Sequence, residues 1–308
     1  MAEILKGAPA ATALNDSVNV FSPAEMTANY AKTGKVKAEK PIGKLFIMAV
    51  LAGLFIAFGS AAANTASHSI SDVSTARIVS GLLFPFGLGM VMLMGAELFT
   101  GNTMISISVL NRDTTVKRML RNWGVVYLGN LAGAILLAAG CALFGQLNYS
   151  SGGLAVYTIK IAAAKCAMPF GNAFVLGFFC NILVCTGVLC SLSAKDTIGR
   201  IAGAYIPVAF FVICGFEHCV ANMYYIPAGI FAMQVPRYAV LAAEAGTNTA
   251  VLSWGNFFLI NLLPVTMGNI LGGVGVGVIM WACNLHPAKS PQIHASQTEL
   301  EESTETRV

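Results

Sequence analysis

The sequence predicts an all-α integral membrane fold: six transmembrane helices in a three-plus-three inverted repeat, with the second and fifth helices broken at mid-membrane. Three observations predict it. Of 308 residues, 56% are hydrophobic and only 10% charged, whereas a soluble domain carries about a quarter charged residues. Six apolar stretches are long enough to span. Two polar clusters, GAELFTGNTM at 95–104 and GFEHCVANMY at 215–224, sit inside apolar runs and share the pattern G-x-E-x-x-x-[GA]-N.

Residues 1–40 are expected to form a cytoplasmic N-terminal segment. Within it, Ser22-Pro23 opens an amphipathic helix with Ala, Glu, Met and Tyr at helical spacing, suited to lying on lipid headgroups. The six-helix domain follows over 41–283, with spans at Leu45–Ala63, Gly81–Ile107, Trp123–Gly145, Gly171–Ala194, Ile201–Met233 and Phe257–Cys283. A span needs roughly 20 apolar residues, so the second and fifth are too long for one straight helix. Those two contain the clusters. Residues 284–308 read as an acidic, Ser/Thr-rich disordered tail.

Fourteen of the eighteen Lys and Arg fall on the side of the N-terminus, the loop after the second span, the loop after the fourth and the tail. By the positive-inside rule both termini are cytoplasmic, in a multi-pass protein of a cell membrane. A net charge of +4 gives no reason to expect nucleic acid. The eight cysteines lie mostly in apolar spans without a C-x-x-C pair. They read as buried thiols, and neither a metal site nor a cofactor is expected.

Each half carries a further motif. NWGVVYLGNLAGA (122–134) and NLLPVTMGNILGG (261–273) both read N-x6-G-N-x2-G. Three spans per half set the halves in opposite directions across the bilayer. The small pairs Gly129/Gly133, Gly268/Gly272 and Gly273/Gly277 are assigned to close helix packing.

A helix broken at mid-membrane is tolerated only where protein or a water-filled cavity surrounds it. Thr100, Asn102 and Thr103 are candidate caps for a new half-helix after the first break, with Gly101 at the unusual backbone angles and Asn222 as the second cap. The half-helix N-termini would then converge on one centre suited to an anion. Glu97 and Glu217 are the only carboxylates within the spans, and both read as braces for the broken turns. His218 faces Leu98 in the repeat alignment, so the scaffold does not demand it, and it is the first choice for a functional group. Phe84, Phe86, Phe99, Phe210, Phe211 and Phe216 flank the breaks; those lining a path would form apolar constrictions. Lys165 sits among Ala, Cys and Met close to the fourth span, placed to draw anions into a vestibule.

At AELFTGNTM (96–104), NW-x3-Y-x-GNL-x-GA (122–134), CNILVC (180–185), GFEHCVANMYYIP (215–227) and NLLPVTMGN-x2-GG (261–273) the chain resembles the formate/nitrite transporter family. The resemblance runs from about Ser22 through the sixth span. It implies an aquaporin-like protomer in a homopentamer, each with its own pore for small monovalent anions such as formate, nitrite, hydrosulfide, acetate or lactate. By motif it implies a central site at His218, Thr100, Asn181, Glu217 and Asn222, and a vestibule cation at Lys165. It also implies a cytoplasmic constriction at Phe84, Leu88 and Phe99, a periplasmic one including Phe211, and a gate loop of Leu98, Thr100, Gly101, Asn102 and Thr103. A proton crossing with the anion is part of what it suggests. Formate is the expected substrate. Glu97 stands where the formate branch can carry aspartate, and the GNTM wording is similar to the nitrite branch, so nitrite and hydrosulfide stay open.

Two other classes fit less well. A water or glycerol channel shares paired half-helices, but paired Asn-Pro-Ala motifs are absent from the sequence, and no filter arginine is evident. An intramembrane enzyme would need a second catalytic group beside His218, and within the spans neither a Ser-x-Gly elbow nor H-E-x-x-H occurs. No enzymatic activity is expected.

Overall fold

In the computed structural model the described residues are 20–286. The first nineteen residues, and residues 287–308 of the predicted acidic tail, lie outside them. Eleven helices carry the argument: α1 (Pro23–Glu39), α2 (Ile42–Ser67), α3 (Val73–Met94), α4 (Phe99–Leu110), α5 (Val116–Leu143), α6 (Gly153–Cys166), α7 (Phe170–Ser193), α8 (Thr197–Cys214), α9 (Cys219–Ala232), α10 (Pro236–Glu244) and α11 (Trp254–Asn284). Six of these, α2, α3, α5, α7, α8 and α11, are long and apolar enough to cross a membrane. Less than half of most spans is buried within the chain. Large apolar side chains such as Ile47, Leu128, Leu136, Phe144 and Leu259 remain exposed on the outside, as lipid-facing or subunit-facing surfaces require.

The long second span is two helices, α3 and α4, separated by Gly95–Leu98. The fifth is α8 and α9, separated by Gly215–His218. Each preceding helix ends on a glycine in the left-handed region, Gly95 at φ +64° and Gly215 at φ +72°. A left-handed glycine closes a helix C-terminus without a Cβ clash. Gly101, expected to hold the unusual angles, is instead helical inside Phe99–Asn102. The glycine a break needs is the one that ends the incoming half.

The glycine pairs do what their spacing suggests. A Cβ on Gly129 would meet Ala49 and the Phe46 carbonyl of α2, and one on Gly133 would strike the Val50 carbonyl. On the other half, Gly268 and Gly272 press in the same way on the Phe174 and Phe178 carbonyls of α7. Helix α5 therefore packs on α2 as α11 packs on α7, and each pair holds a break between its own residues and the partner half. One difference between the halves is local: Phe257–Leu262 at the start of α11 is π-wound, whereas the matching stretch of α5 is regular α-helix.

Helix α1 is not a headgroup float. Ser22 starts it with a capping box, its hydroxyl accepting from the Glu25 N–H while the Glu25 carboxylate accepts from the Ser22 N–H. One face, including Met26, Tyr30, Ala31 and Ala38, is buried. Tyr30 OH donates to the Gly101 carbonyl at 2.8 Å, and Ser108 Oγ donates to the Ala31 carbonyl at 2.8 Å. The helix that the sequence suggested for a membrane surface is thus docked on α4 by the Gly101 carbonyl and the Ser108 hydroxyl.

Of the eight cysteines, five are buried thiols and three, Cys190, Cys214 and Cys283, are exposed on the outer surface.

Candidate functional site

The asparagines that the repeat motif marked organise both breaks, and they do it with the same bonds. In the first half, Asn130 Nδ2 donates to the Ala49 carbonyl at 2.8 Å and the Glu97 carbonyl at 2.9 Å, while its Oδ1 accepts from Phe99 N–H at 2.9 Å. In the second, Asn269 Nδ2 donates to the Gly177 carbonyl at 2.7 Å and the Glu217 carbonyl at 3.0 Å, and its Oδ1 accepts from Cys219 N–H at 2.9 Å. Each asparagine thus occupies the backbone groups that the break frees. Asn102 Nδ2 binds Glu97 Oε2 (2.8 Å) and Asn122 Oδ1 (2.9 Å); Asn222 Nδ2 binds Glu217 Oε2 (2.7 Å) and Asn261 Oδ1 (2.7 Å).

These bonds displace the caps expected from the sequence. Thr100, Asn102, Thr103 and Asn222 do not cap the half-helices. The first N–H of each is taken from outside by Asn130 or Asn269, so the local polar residues are free to face other partners. Thr103 Oγ1 donates to the Thr100 carbonyl at 2.6 Å. The second half-helix has a side-chain cap the sequence did not suggest: His218 Nδ1 accepts from Ala221 N–H at 3.1 Å.

Both glutamates are buried, Glu97 at 1% and Glu217 at 4% exposure. Lys165 Nζ reaches Glu217 Oε1 at 2.7 Å and Oε2 at 2.9 Å. Its counterparts in the first half come from outside the spans, from α1 and the residue after it. Lys37 Nζ reaches Glu97 Oε2 at 2.9 Å and Asn102 Oδ1 at 3.1 Å, and Lys40 binds Glu97 Oε1. Asn122 Nδ2 donates to the Lys37 carbonyl (2.9 Å) as Asn261 Nδ2 donates to the Lys165 carbonyl (3.0 Å). Sequence reading missed Lys37 and Lys40 because they lie some sixty residues from Glu97 in a polar segment with no span pattern. The signal available was the symmetry, since a lysine beside Glu217 asks for one beside Glu97.

Where the halves meet, Thr100 Oγ1 lies 2.9 Å from His218 Nε2. His218 is 3% exposed and Thr100 fully buried. Since Nδ1 accepts the Ala221 N–H, the ring carries its hydrogen on Nε2, which donates to Thr100 Oγ1; the threonine's own hydrogen is left to point elsewhere. Asn181 Nδ2 contacts the Thr100 carbonyl (3.2 Å), Thr103 Oγ1 (3.2 Å) and the Asn269 carbonyl (2.6 Å), leaving its Oδ1 without a partner. A Cβ on Gly273 would collide with Thr103 Oγ1 and Asn181 Nδ2, so this glycine keeps the centre open to them.

A cavity lies on either side of this centre. One, about 430 Å³, is bordered by Lys165, Glu217, His218, Phe84, Phe211 and Arg77. The other, about 230 Å³, is bordered by Lys37, Lys40, Glu97, Leu88, Leu98 and Tyr30. Phe84 and Phe211 meet edge to face at 5.5 Å, and Phe211 stacks on His218 at 5.9 Å. Phe84 thus belongs with Phe211 on the Lys165 side, and not with Leu88 and Phe99 as expected. Phe99 borders neither cavity; it packs edge-on against Tyr127 (4.9 Å) and Trp123 (6.3 Å). Phe84 and Leu88, about one turn apart, thus border the cavities on opposite sides of the centre. Phe86 and Phe210 are exposed on the outer surface.

The family model for formate/nitrite transporters matches residues 24–282. The chain belongs to the formate/nitrite transporter family. It is 34% identical over 272 residues to the formate channel FocA of Escherichia coli K12, covering 87% of this chain and 95% of that one. It is 33% identical over 279 residues to a probable formate transporter of Methanothermobacter thermautotrophicus, covering 84% and 96%. Among solved structures it is similar to a pentameric formate channel with formate bound (TM-score 0.69, 35% identity, 79% of this chain and 96% of that one). It is also similar to an ion channel of the same family (TM-score 0.67, 26% identity, 85% and 98%). The matched proteins are membrane channels and transporters. As a member of this family, the chain is a multi-pass membrane protein with the family's helical channel fold.

Proposed function

We propose that the chain is a homopentameric channel for formate, each protomer carrying one path through the Thr100–His218 centre. The observation that carries this reading is the pairing of those two side chains between two lysine-bearing cavities. Relatives named as formate channels at about a third identity supply the substrate. The pentamer is read across from the similar solved channel.

Orientation follows the basic residues. Lys37, Lys40 and α1 stand on the cytoplasmic side with both termini, and Lys165 faces the outside. With three spans in each half, the matching bonds at the two breaks then make the protomer an inverted repeat. Glu97 and Glu217 brace the breaks and hold the vestibule lysines. Asn181 and Asn222 fix the centre, and Leu98 to Thr103 form the movable turn. Phe84 with Phe211 on one side, and Leu88 with Leu98 on the other, narrow the path.

Between the two cavities, a formate anion meets donors only at the centre. On the apolar stretches beside it, a charge costs at least about 2.5 kcal/mol even on lenient scales. The neutral acid avoids this cost. His218 is a poor source of the proton, because protonating Nδ1 would break the Ala221 cap bond. In this account the imidazole stays neutral, Nε2–H fixes Thr100, and the Thr100 hydroxyl hydrogen turns to the passing substrate. The proton is taken from water in the cavities.

The test is radiolabelled formate uptake into proteoliposomes with and without an inward proton gradient, competed by nitrite, hydrosulfide and lactate. Accumulation driven by the gradient supports formate with a proton. Uptake that only equilibrates means anion conduction without coupling, and passage of nitrite or hydrosulfide without formate overturns the substrate.

A further inference from the structure

The larger cavity holds more donor capacity than its lysine supplies. Lys165 gives two short bonds to Glu217, and the pair brings little net charge to the cavity. Arg77 of α3 borders the same cavity, and none of its guanidinium nitrogens makes a hydrogen bond or ion pair among the described residues. Its Nη1 lies 3.5 Å from the position a Cβ would take on Gly215. The guanidinium therefore rests over the left-handed turn that leads directly into Glu217 and His218.

Asn64 of α2 borders this cavity too. It is 5% exposed, yet its Nδ2 has no partner. Gly59 explains how the two reach one wall: a Cβ there would lie 2.7 Å from the Phe84 carbonyl, so α2 and α3 run in contact. One to two turns along each helix from that contact stand Asn64 and Arg77. A buried amide donor is normally matched, and a guanidinium keeps its charge at any working pH.

We infer that Arg77 and Asn64 form a recognition subsite in the Lys165-side cavity for a small planar oxyanion with two terminal oxygens, a carboxylate such as formate or the nitrite ion. The planar fork of arginine meets two oxygens at once, which a lysine cannot do. The amide supplies a further donor that only an acceptor oxygen satisfies. Anions with a single heavy atom, such as chloride and hydrosulfide, receive the point charge alone. The subsite thus sorts anions by shape before they reach Thr100 and His218. It deepens the proposed function, and its use in uptake rests on that reading.

Binding is read first, on the solubilised whole protein. Phenylglyoxal modification of Arg77 is followed by peptide mass spectrometry in the presence of formate, nitrite or chloride at equal ionic strength. Formate and nitrite are expected to protect Arg77 about tenfold better than chloride, and Asn64→Leu to remove most of that difference. Equal protection by chloride, or none by any anion, overturns the subsite whether or not the protein transports formate. Uptake is read second. Arg77→Gln is expected to raise half-saturating formate presented from the Lys165 side about tenfold, with the rate at saturation lowered far less. Arg77→Lys should leave formate weak while restoring hydrosulfide. An unchanged half-saturation in Arg77→Gln contradicts the proposal. Protection by formate in a protein that does not transport it would remove the proposed function and leave the subsite standing.

Discussion

Thr100 Oγ1 and His218 Nε2 stand 2.9 Å apart and join the two broken spans side chain to side chain. Their partners give the bond a direction. His218 Nδ1 is occupied as an acceptor by the Ala221 N–H, so Nε2 donates and Thr100 is left with a hydrogen to offer. In the function proposed above, the threonine is the group that touches substrate, and the histidine positions it.

Thr100→Val, which keeps the shape and removes the hydroxyl, is expected to slow formate uptake about ten- to a hundredfold, the equivalent of a hydrogen bond to a charged or strongly polar group. Thr100→Ser should retain most of the rate. Uptake by Thr100→Val within twofold of the parent would remove the threonine from the site.

Glu97 ties α1 to the first break through Lys37, Lys40 and Asn102. Glu97→Ala takes the carboxylate from Lys37, Lys40 and the Asn102 amide, leaving Lys37 only Asn102 Oδ1 and the amide only Asn122 Oδ1, and breaking such a buried pair costs on the order of 3 kcal/mol. The loss should appear as a clear drop in melting temperature. It should also speed hydrogen exchange in α1, whose Tyr30 bond to Gly101 depends on that docking. Unchanged exchange in α1 would mean the apolar face alone holds it.

Asn130 and Asn269 each satisfy two carbonyls and one N–H. Replacing either by Ala strands those groups at about 1–3 kcal/mol per group where no water reaches them. Because the bonds match, the two variants should destabilise the protein to a similar degree. A large asymmetry in their melting temperatures would show that the halves are not energetically equivalent.

Much of this was legible in the sequence, for identifiable reasons. The spans followed from apolar runs, the breaks from G-x-E-x-x-x-[GA]-N, and the pairing of halves from N-x6-G-N-x2-G. The glycine contacts followed from small-x-x-x-small spacing. What the sequence did not reveal was which atom bonds which. Asn130 and Asn269 cap from another helix, and no local pattern encodes a cap delivered from about thirty or fifty residues away. Phe84 was placed on the wrong side of the centre because the turn that carries it past Leu88 is a three-dimensional fact. Lys37 and Lys40 hid in a segment whose polarity matched a membrane surface. Arg77 lies outside every motif the sequence marks.

Asp72 caps α3, the helix that carries Arg77 and Phe84, accepting from Thr75 N–H at 2.8 Å and Thr75 Oγ1 at 2.6 Å. These bonds hold its carboxyl below the ordinary value of 3.8, the hydroxyl contributing most. A depressed folded value means the cap's contribution is complete above that ordinary value and is lost as pH falls through the lower one. Protection of the Thr75 amide from hydrogen exchange, corrected for intrinsic rate, should hold steady between pH 8 and 5. A decline already between pH 7 and 5 would contradict this.

The most direct measurement is formate flux through the parent protein in proteoliposomes as a function of outside pH, at constant total formate, with flux into protein-free vesicles subtracted. If water supplies the proton and His218 stays neutral, flux falls about tenfold per pH unit without a break, tracking the neutral acid. A plateau that gives way near pH 6.5, the ordinary range of histidine, would mean that the imidazole titrates in the working cycle. That result would contradict the neutral-donor account of Thr100 and His218.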